Sequence, residues 1–266
     1  MSTTSAPVTG RFQGTGDLRL VARQVYYEQL TFWLNPVGAL LTIGFSVVFI
    51  VIFEGTSQHS TVSYLAHINL GQYYLPAFAA YGVMAACFNI LAIQTVNRRE
   101  MGLLKRLRLS PLTTWMFLAA TALSFMVVAL IQVVLLLLVG RFGYGLHGPH
   151  DVATFVLVLI AGMLAFTALG LGISTLVPNA DAAGPMVSLV FFILVALSGL
   201  YFPVKPHSGL ANFTGIFPVR HMITALVDSY NGIPGDSVWT DVGVIALWGA
   251  AGAFLAVRRW QWSPRR

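Results

Sequence analysis

The sequence predicts an all-α integral membrane protein with six transmembrane helices, an N-terminal interfacial amphipathic helix and both termini in the cytoplasm. Three observations carry this. Of 266 residues, 57% are hydrophobic and 9% are charged, with a mean hydropathy of +0.77; soluble domains have about a quarter of their residues charged. Six apolar runs approach the roughly 20 residues that a bilayer crossing needs. Finally, Lys and Arg fall on alternate connections, as the positive-inside rule requires. With both termini inside, the inner segments hold Arg11, Arg19, Arg23, Arg98, Arg99, Lys105, Arg106, Arg108, Arg258, Arg259, Arg265 and Arg266, and the outer ones only Arg141, Lys205 and Arg220. The net charge of +6 therefore follows membrane sidedness rather than marking a nucleic-acid surface. A single cysteine, Cys87, excludes an intrachain disulfide.

Residues 1–17 are rich in Ser, Thr and Gly without a continuous apolar core. They read as a disordered cytoplasmic tail, not a secretory signal. In residues 18–33, Leu18, Val21, Ala22 and Val25 share a helical face, with Arg19 and Arg23 off it. The segment is expected to lie along the inner leaflet with Tyr26, Tyr27 and Trp33 at headgroup depth. Asn35-Pro36 then turns the chain into the bilayer.

The six spans are expected at 34–53, 73–96, 115–139, 152–176, 184–202 and 242–257, the last with a start as early as Val238. They form a domain over 34–257, and 258–266 is a basic cytoplasmic tail. The second span is the most polar, carrying Cys87, Asn89 and Gln94, and the third is the most lipid-like. The fourth and sixth carry small residues four apart: Ala161 with Ala165, Ala168 with Gly172, Gly249 with Ala253, and Gly252 with Ala256. Such pairs let helix backbones approach closely in lipid. The long outer connection, 203–241, holds two semi-apolar pieces, 209–217 and 219–230, each too short to span. They read as helices resting in or dipping into the outer leaflet, against the alternative of a solvated loop.

Catalytic patterns are absent from the sequence. It contains no GxxxxGK[ST] loop, no HExxH, no paired-cysteine metal motif and no glycine-flanked serine nucleophile. All six histidines fall on the expected outer side at spacings that match no ligand set, and read as solvated loop residues. Cys87 reads as packing. No span has a charge at its centre, which argues against ion-coupled transport. Asn89 and Gln94 read first as interhelical hydrogen-bonding groups, the alternative being a translocation path. The membrane part thus needs an energy source elsewhere.

The basic stretch at 97–114 (NRREMGLLKRLRLSPLTT) is where such a source would attach. Met101, Leu104 and Leu107 recur at helical spacing, and Ser110-Pro111 signals the start of the next helix. A surface helix on acidic headgroups and a docking helix for a cytoplasmic partner both fit this pattern.

The chain resembles the permease subunits of ABC-2-type exporters, the family of the daunorubicin-resistance and nodulation-factor permeases, over most of its length. The resemblance is carried by RE-x-G-x-x-x-x-L-x-x-[ST]-P, matched by Arg99, Glu100, Gly102, Leu107, Ser110 and Pro111. It is supported by the basic N-terminal helix ending in Asn35-Pro36, by Ser198-Gly199 to Pro203, and by Phe217-Pro218. It implies that 98–108 is a coupling helix seated on a separate ATP-hydrolysing subunit. Arg98 and Arg99 would carry its charge, Glu100 would orient it, Gly102 would allow close approach, and Leu103, Leu104 and Leu107 would make apolar contact. Arg19 and Arg23 would lie near the same partner. The resemblance further implies two permeases, as a homodimer or with a sister subunit, and two ATPases that hold the ATP and Mg. No cofactor is expected on this chain, and export of a drug-like or lipid amphiphile is the expected activity. A lipid-linked glycan exporter and a membrane enzyme acting on lipids are the alternatives.

Overall fold

The computed structural model describes residues 15–57, 61–62, 68–102, 114–200, 213–233 and 238–259. In chain order these form α1 (Thr15–Trp33), α2 (Pro36–Ser57), a two-residue antiparallel ladder of β1 (Thr61–Val62) and β2 (Ile68–Asn69), and α3 (Leu70–Met84). A π-helical turn (Ala85–Ile90) and α4 (Leu91–Glu100) continue α3. Then come α5 (Thr114–Tyr144), α6 (Val152–Ser174), α7 (Ala180–Leu197), α8 (Pro218–Asn231) and α9 (Val238–Arg259). Among the described residues, six helices are long and apolar enough to cross a membrane: α2, the continuous α3–π–α4 rod, α5, α6, α7 and α9. The protein is therefore all-α with six membrane-spanning helices, as the sequence indicates.

The helix bounds differ from the hydropathy windows in an instructive way. The second span runs from Leu70 to Glu100, not 73–96, and α5 runs on to Tyr144. The fifth span starts at Ala180, four residues before its window. There the Asn179 side chain accepts from Ala182 N at 2.9 Å, and an N-cap fixes a start that hydropathy does not register.

The second span is the axis of the bundle. Of its most apolar stretch 78% is buried, against 17–44% for the other five. An aromatic ladder joins α2 to it: Phe45 on Tyr81, Phe49 on Phe78 and Phe53 on Tyr74, with ring centroids 5.6, 5.6 and 4.6 Å apart. Pro76 stands inside α3 and cannot donate to the carbonyl four residues back. That carbonyl, Gln72 O, instead accepts from Asn231 Nδ2 on α8 at 3.1 Å. In lipid, such re-satisfaction is what makes a helix-interior proline tolerable.

The expected small-residue contact joins α6 to α9. A Cβ added to Gly252 would stand 2.6 Å from Leu169 N and 2.7 Å from Leu169 Cα. One on Gly172 would stand 2.6 Å from Gly252 O, and one on Gly249 2.9 Å from Ala165 Cα. The backbones touch, and only glycine fits.

The second piece of the long connection is a helix, α8, with buried residues that include Met222, Leu226 and Tyr230. It packs against α3, α6 and α9. This removes the solvated-loop alternative for 218–231. Residues 209–212 of the first piece lie outside the described residues.

Candidate functional site

The end of the bundle that carries Arg98 and Arg99 is built from the last turn of α4. The helix stops because Gly102 adopts φ +68, a left-handed conformation that ends helices readily and that glycine adopts without strain. Met101 N and Gly102 N close back on Asn97 O and Arg99 O at 2.9 and 3.1 Å. Residues 98–108 are therefore not one helix. Arg98, Arg99 and Glu100 complete the second span, and a break follows at Met101–Gly102. Leu103, Leu104 and Leu107 lie outside the described residues.

Arg98 and Arg99 point about 100° apart around the helix and hold different neighbours. Arg98 makes a bidentate ion pair with Glu28 of α1, Nη1 to Oε1 at 2.9 Å and Nη2 to Oε2 at 2.5 Å. It also donates to Thr121 Oγ1 of α5 at 3.1 Å and to Gln94 Oε1 at 3.3 Å, and its guanidinium lies 5.4 Å from the centre of the Phe117 ring. Gln24 Nε2 adds a third donor to Glu28 at 3.0 Å. The next residue, Gln29, reaches Ser124 O and Oγ of α5 through Nε2 at 2.7 and 2.8 Å.

Arg99 is buried, 4% exposed. It donates to Ser174 O at 3.2 Å, Val177 O at 2.7 Å and Pro178 O at 3.3 Å. Ser174 ends α6, so Arg99 caps the C-terminus of the fourth span, where carbonyls lack helical partners and positive charge is favoured. Glu100 Oε1 stands 3.4 Å from Arg99 Nε. Its hydrogen bonding is otherwise unmet among the described residues.

Arg19 and Arg23 are exposed on α1, with Arg23 Nη2 3.4 Å from Tyr27 Oη. Asn89 and Gln94 are not brought together. Asn89, in the π turn, meets Ser188 Oγ of α7 at 3.5 Å, and Gln94 serves Arg98. Where α1 turns into α2, a cavity of about 430 Å³ opens against Arg98, Glu28 and Gln94.

Two functional groups escape a hydropathy reading. Glu28 continues the face of Val21 and Val25 at helical spacing and is more buried than either, so the packed face of α1 mixes apolar and polar groups, while Leu18 at its start is 63% exposed. The signal in the sequence is the polar pair Glu28-Gln29 where the stripe of Leu18, Val21 and Val25 would next place an apolar residue. Gln132 lies inside the most lipid-like span, yet is 1% exposed and donates to Ser46 Oγ at 2.6 Å.

The opposite end also holds more than solvated histidines. His221 Nδ1 lies 2.5 Å from Asp241 Oδ1 of α9, and Nε2 lies 2.7 Å from Gly215 O. Both partners present oxygen acceptors, an arrangement that favours the doubly protonated ring, whose two nitrogens both donate. The Asp241 contact is the main cause that raises the His221 pKa above its ordinary value, against the opposing effect of burial. His147 stacks on Tyr230 with centroids 5.2 Å apart. Among the described residues, no cluster of three or more His, Cys, Asp or Glu could hold a metal ion.

Comparison with known proteins gives two findings. The family model described as "ABC-2 family transporter protein" matches residues 56–258. A curated relative described as "Probable multidrug ABC transporter permease YbhR", from Escherichia coli strain K12, is 28% identical over 202 residues, which is 74% of this chain and 55% of the relative. Its counterpart in Escherichia coli O157:H7 matches to the same extent. The chain thus spans about half the length of the curated relatives it matches.

Proposed function

Because the chain belongs to the ABC-2 transporter family and is a multi-pass cell-membrane transport subunit, we propose that it is the permease of an ATP-driven exporter worked from the cytoplasm through the segment that follows Gly102. In this reading both termini are inside and ATP hydrolysis belongs to a separate subunit. Two permeases and two ATPases make the working unit. The cargo is an amphiphile of drug-like or lipid type; the multidrug description of the relative supports the drug-like class.

The observation that carries the reading is the double grip of Arg98 and Arg99. A displacement applied beyond Gly102 reaches α1 and α5 through Arg98, and the end of α6 through Arg99. These residues position the spans relative to the coupling segment rather than touching the ATPase themselves. Glu100 and the segment beyond it remain the contact side.

The test is efflux measured with the cognate ATPase present. Glu100→Arg or Leu104→Arg abolishes transport and leaves insertion intact, as checked by reporter fusions at each connection. Undiminished ATP-driven efflux in both variants overturns the coupling role. Transport by the purified chain alone overturns the assignment of the energy source.

A further inference from the structure

The cavity at the elbow between α1 and α2 is not used by the coupling reading. At about 430 Å³ it is within the size range of sites that bind small molecules, and it has room for more than ten waters at about 30 Å³ each. Its floor is the Glu28–Arg98 pair with Gln94; Asn35 and Thr42 line its wall, and Leu41, two-thirds exposed, is at its lip.

Three features define what would fit. The first is depth. The cavity lies at the basic end, where α1 leaves Tyr26, Tyr27 and Trp33 exposed, the residue types that mark a headgroup interface. The second is shape. The lip continues into the exposed apolar face of Leu34, Val37, Leu40 and Leu41 on the elbow and α2, so a ligand with a polar head and a long apolar tail is accommodated whole. The third is chemistry. Arg98 spends its Nη donors on Glu28, Thr121 and Gln94, leaving the floor charge-balanced. The amide orientations are fixed, because Gln94 Oε1 accepts from Arg98 and Asn35 Oδ1 accepts from Gly38 N at 3.2 Å. The amide nitrogens of Gln94 and Asn35 are therefore left as donors without a partner among the described residues. Glu28 accepts three N–H groups of the roughly four that a carboxylate can take.

We propose that this cavity holds the headgroup of a zwitterionic phosphoethanolamine lipid of the inner leaflet, its phosphate on the Gln94 and Asn35 amides, its ammonium on the last acceptor site of Glu28, and its chains along α2. A net anionic headgroup would place uncompensated charge beside the Glu28 carboxylate. The lipid is a resident brace of the elbow, distinct from transported cargo. The inference shares with the exporter reading only the placement of the basic end at the inner leaflet.

The experiment uses the purified full chain without its ATPase, so that failure of coupling does not enter. The chain is delipidated in detergent, and the thermal midpoint is read after adding phosphatidylethanolamine, phosphatidylglycerol or glycerophosphoethanolamine. Phosphatidylethanolamine should raise the midpoint by about 5 °C at saturation, and native mass spectrometry should show one lipid retained per chain. Phosphatidylglycerol should give less than half that shift, and the chainless headgroup none. Thr42→Phe fills the cavity while sparing the ion pair, since the Thr42 hydroxyl donates to Gly38 O of its own helix; it should abolish the shift. Gln94→Leu, read the same way, replaces it if the first variant misfolds. An equal response to phosphatidylglycerol overturns the zwitterion assignment, and an equal response to the soluble headgroup overturns the lipid. A shift that survives both substitutions overturns the site.

Discussion

Breaking the Glu28–Arg98 pair should uncouple two regions 70 residues apart in the chain. The perturbations are Glu28→Gln, Arg98→Gln and the double variant. The side chains are 8% and 17% exposed, and they meet through two charge-assisted contacts at 2.9 and 2.5 Å. Removing one partner of a fully buried pair costs about 3–5 kcal/mol, whereas an exposed pair contributes about 1 kcal/mol or less. The cavity beside the pair admits partial screening, so each single change should cost about 2–3 kcal/mol, with a coupling energy of about 2 kcal/mol. At about 2–4 °C per kcal/mol for a chain of this size, each single variant should lose about 4–12 °C of thermal midpoint at a fixed heating rate. The double variant should lose little more than the worse single one. Salt should change the result weakly, because a part-buried pair is poorly screened. Additivity of the two single effects to within about 0.5 kcal/mol would refute the reasoning and remove the link between α1 and the end of α4.

Three other changes test separate contacts. Gly252→Val pushes a side chain into the Leu169 backbone and should cost about 1–3 kcal/mol or prevent assembly; a normal yield and midpoint would deny the α6–α9 backbone contact. Arg99→Leu strands the carbonyls of Ser174 and Val177 and should cost about 2–4 kcal/mol, with Arg99→Lys losing less because one ammonium reaches fewer acceptors than the guanidinium fork; equal midpoints for the two would count against capping. His221 has a raised pKa in the fold, chiefly through Asp241, so its contribution is full below its ordinary value near 6.5 and is lost as pH rises through the raised value. Thermal midpoints from pH 6 upward should therefore fall in the wild type and stay flatter in His221→Gln; parallel profiles would deny the clasp.

The spans were legible because hydropathy reads how a segment dissolves in lipid, and six segments do so strongly. The small-residue seam was legible for a related reason: Gly249 and Gly252 at helical spacing have few uses other than close approach. Helix ends were less legible. Hydropathy stops at Val96, but the helix continues to Glu100 because its carbonyls and charges find partners in α1, α5 and α6. The functional end was legible in position and illegible in role. A run of arginines looks like a solvated or docking face until Glu28 and the carbonyls of 174–178 are seen to meet it, and both lie far away in sequence. Glu28 itself was hidden because a lone carboxylate on the face of Val21 and Val25 reads as a break in the apolar pattern, although it is the buried member of that face.

The length of the second span gives this arrangement its mechanical sense. Its 31 residues measure about 46 Å at 1.5 Å per residue, against a hydrocarbon core of about 30 Å. A rod that long must emerge from the bilayer, and the arginines stand on its last turn. It is also the most buried of the six, so a displacement of its end meets neighbours along its whole length. Two features interrupt its regularity. Gly102 ends it where the proposed coupling segment would begin, and the π turn at Ala85–Ile90 breaks its register mid-way. The π turn's carbonyls at Cys87 and Phe88 lie close against Gly170 of α6; a Cβ there would stand 2.8 and 3.0 Å from them. π turns recur at functional sites because they alter which side chains face which neighbour. Here Asn89 in the turn meets Ser188 of α7, while α4 beyond it packs on α6 and α7 and reaches α1 and α5 through Arg98. On the exporter reading, a push at Gly102 would run along α4 to the π turn, where the register of the rod changes.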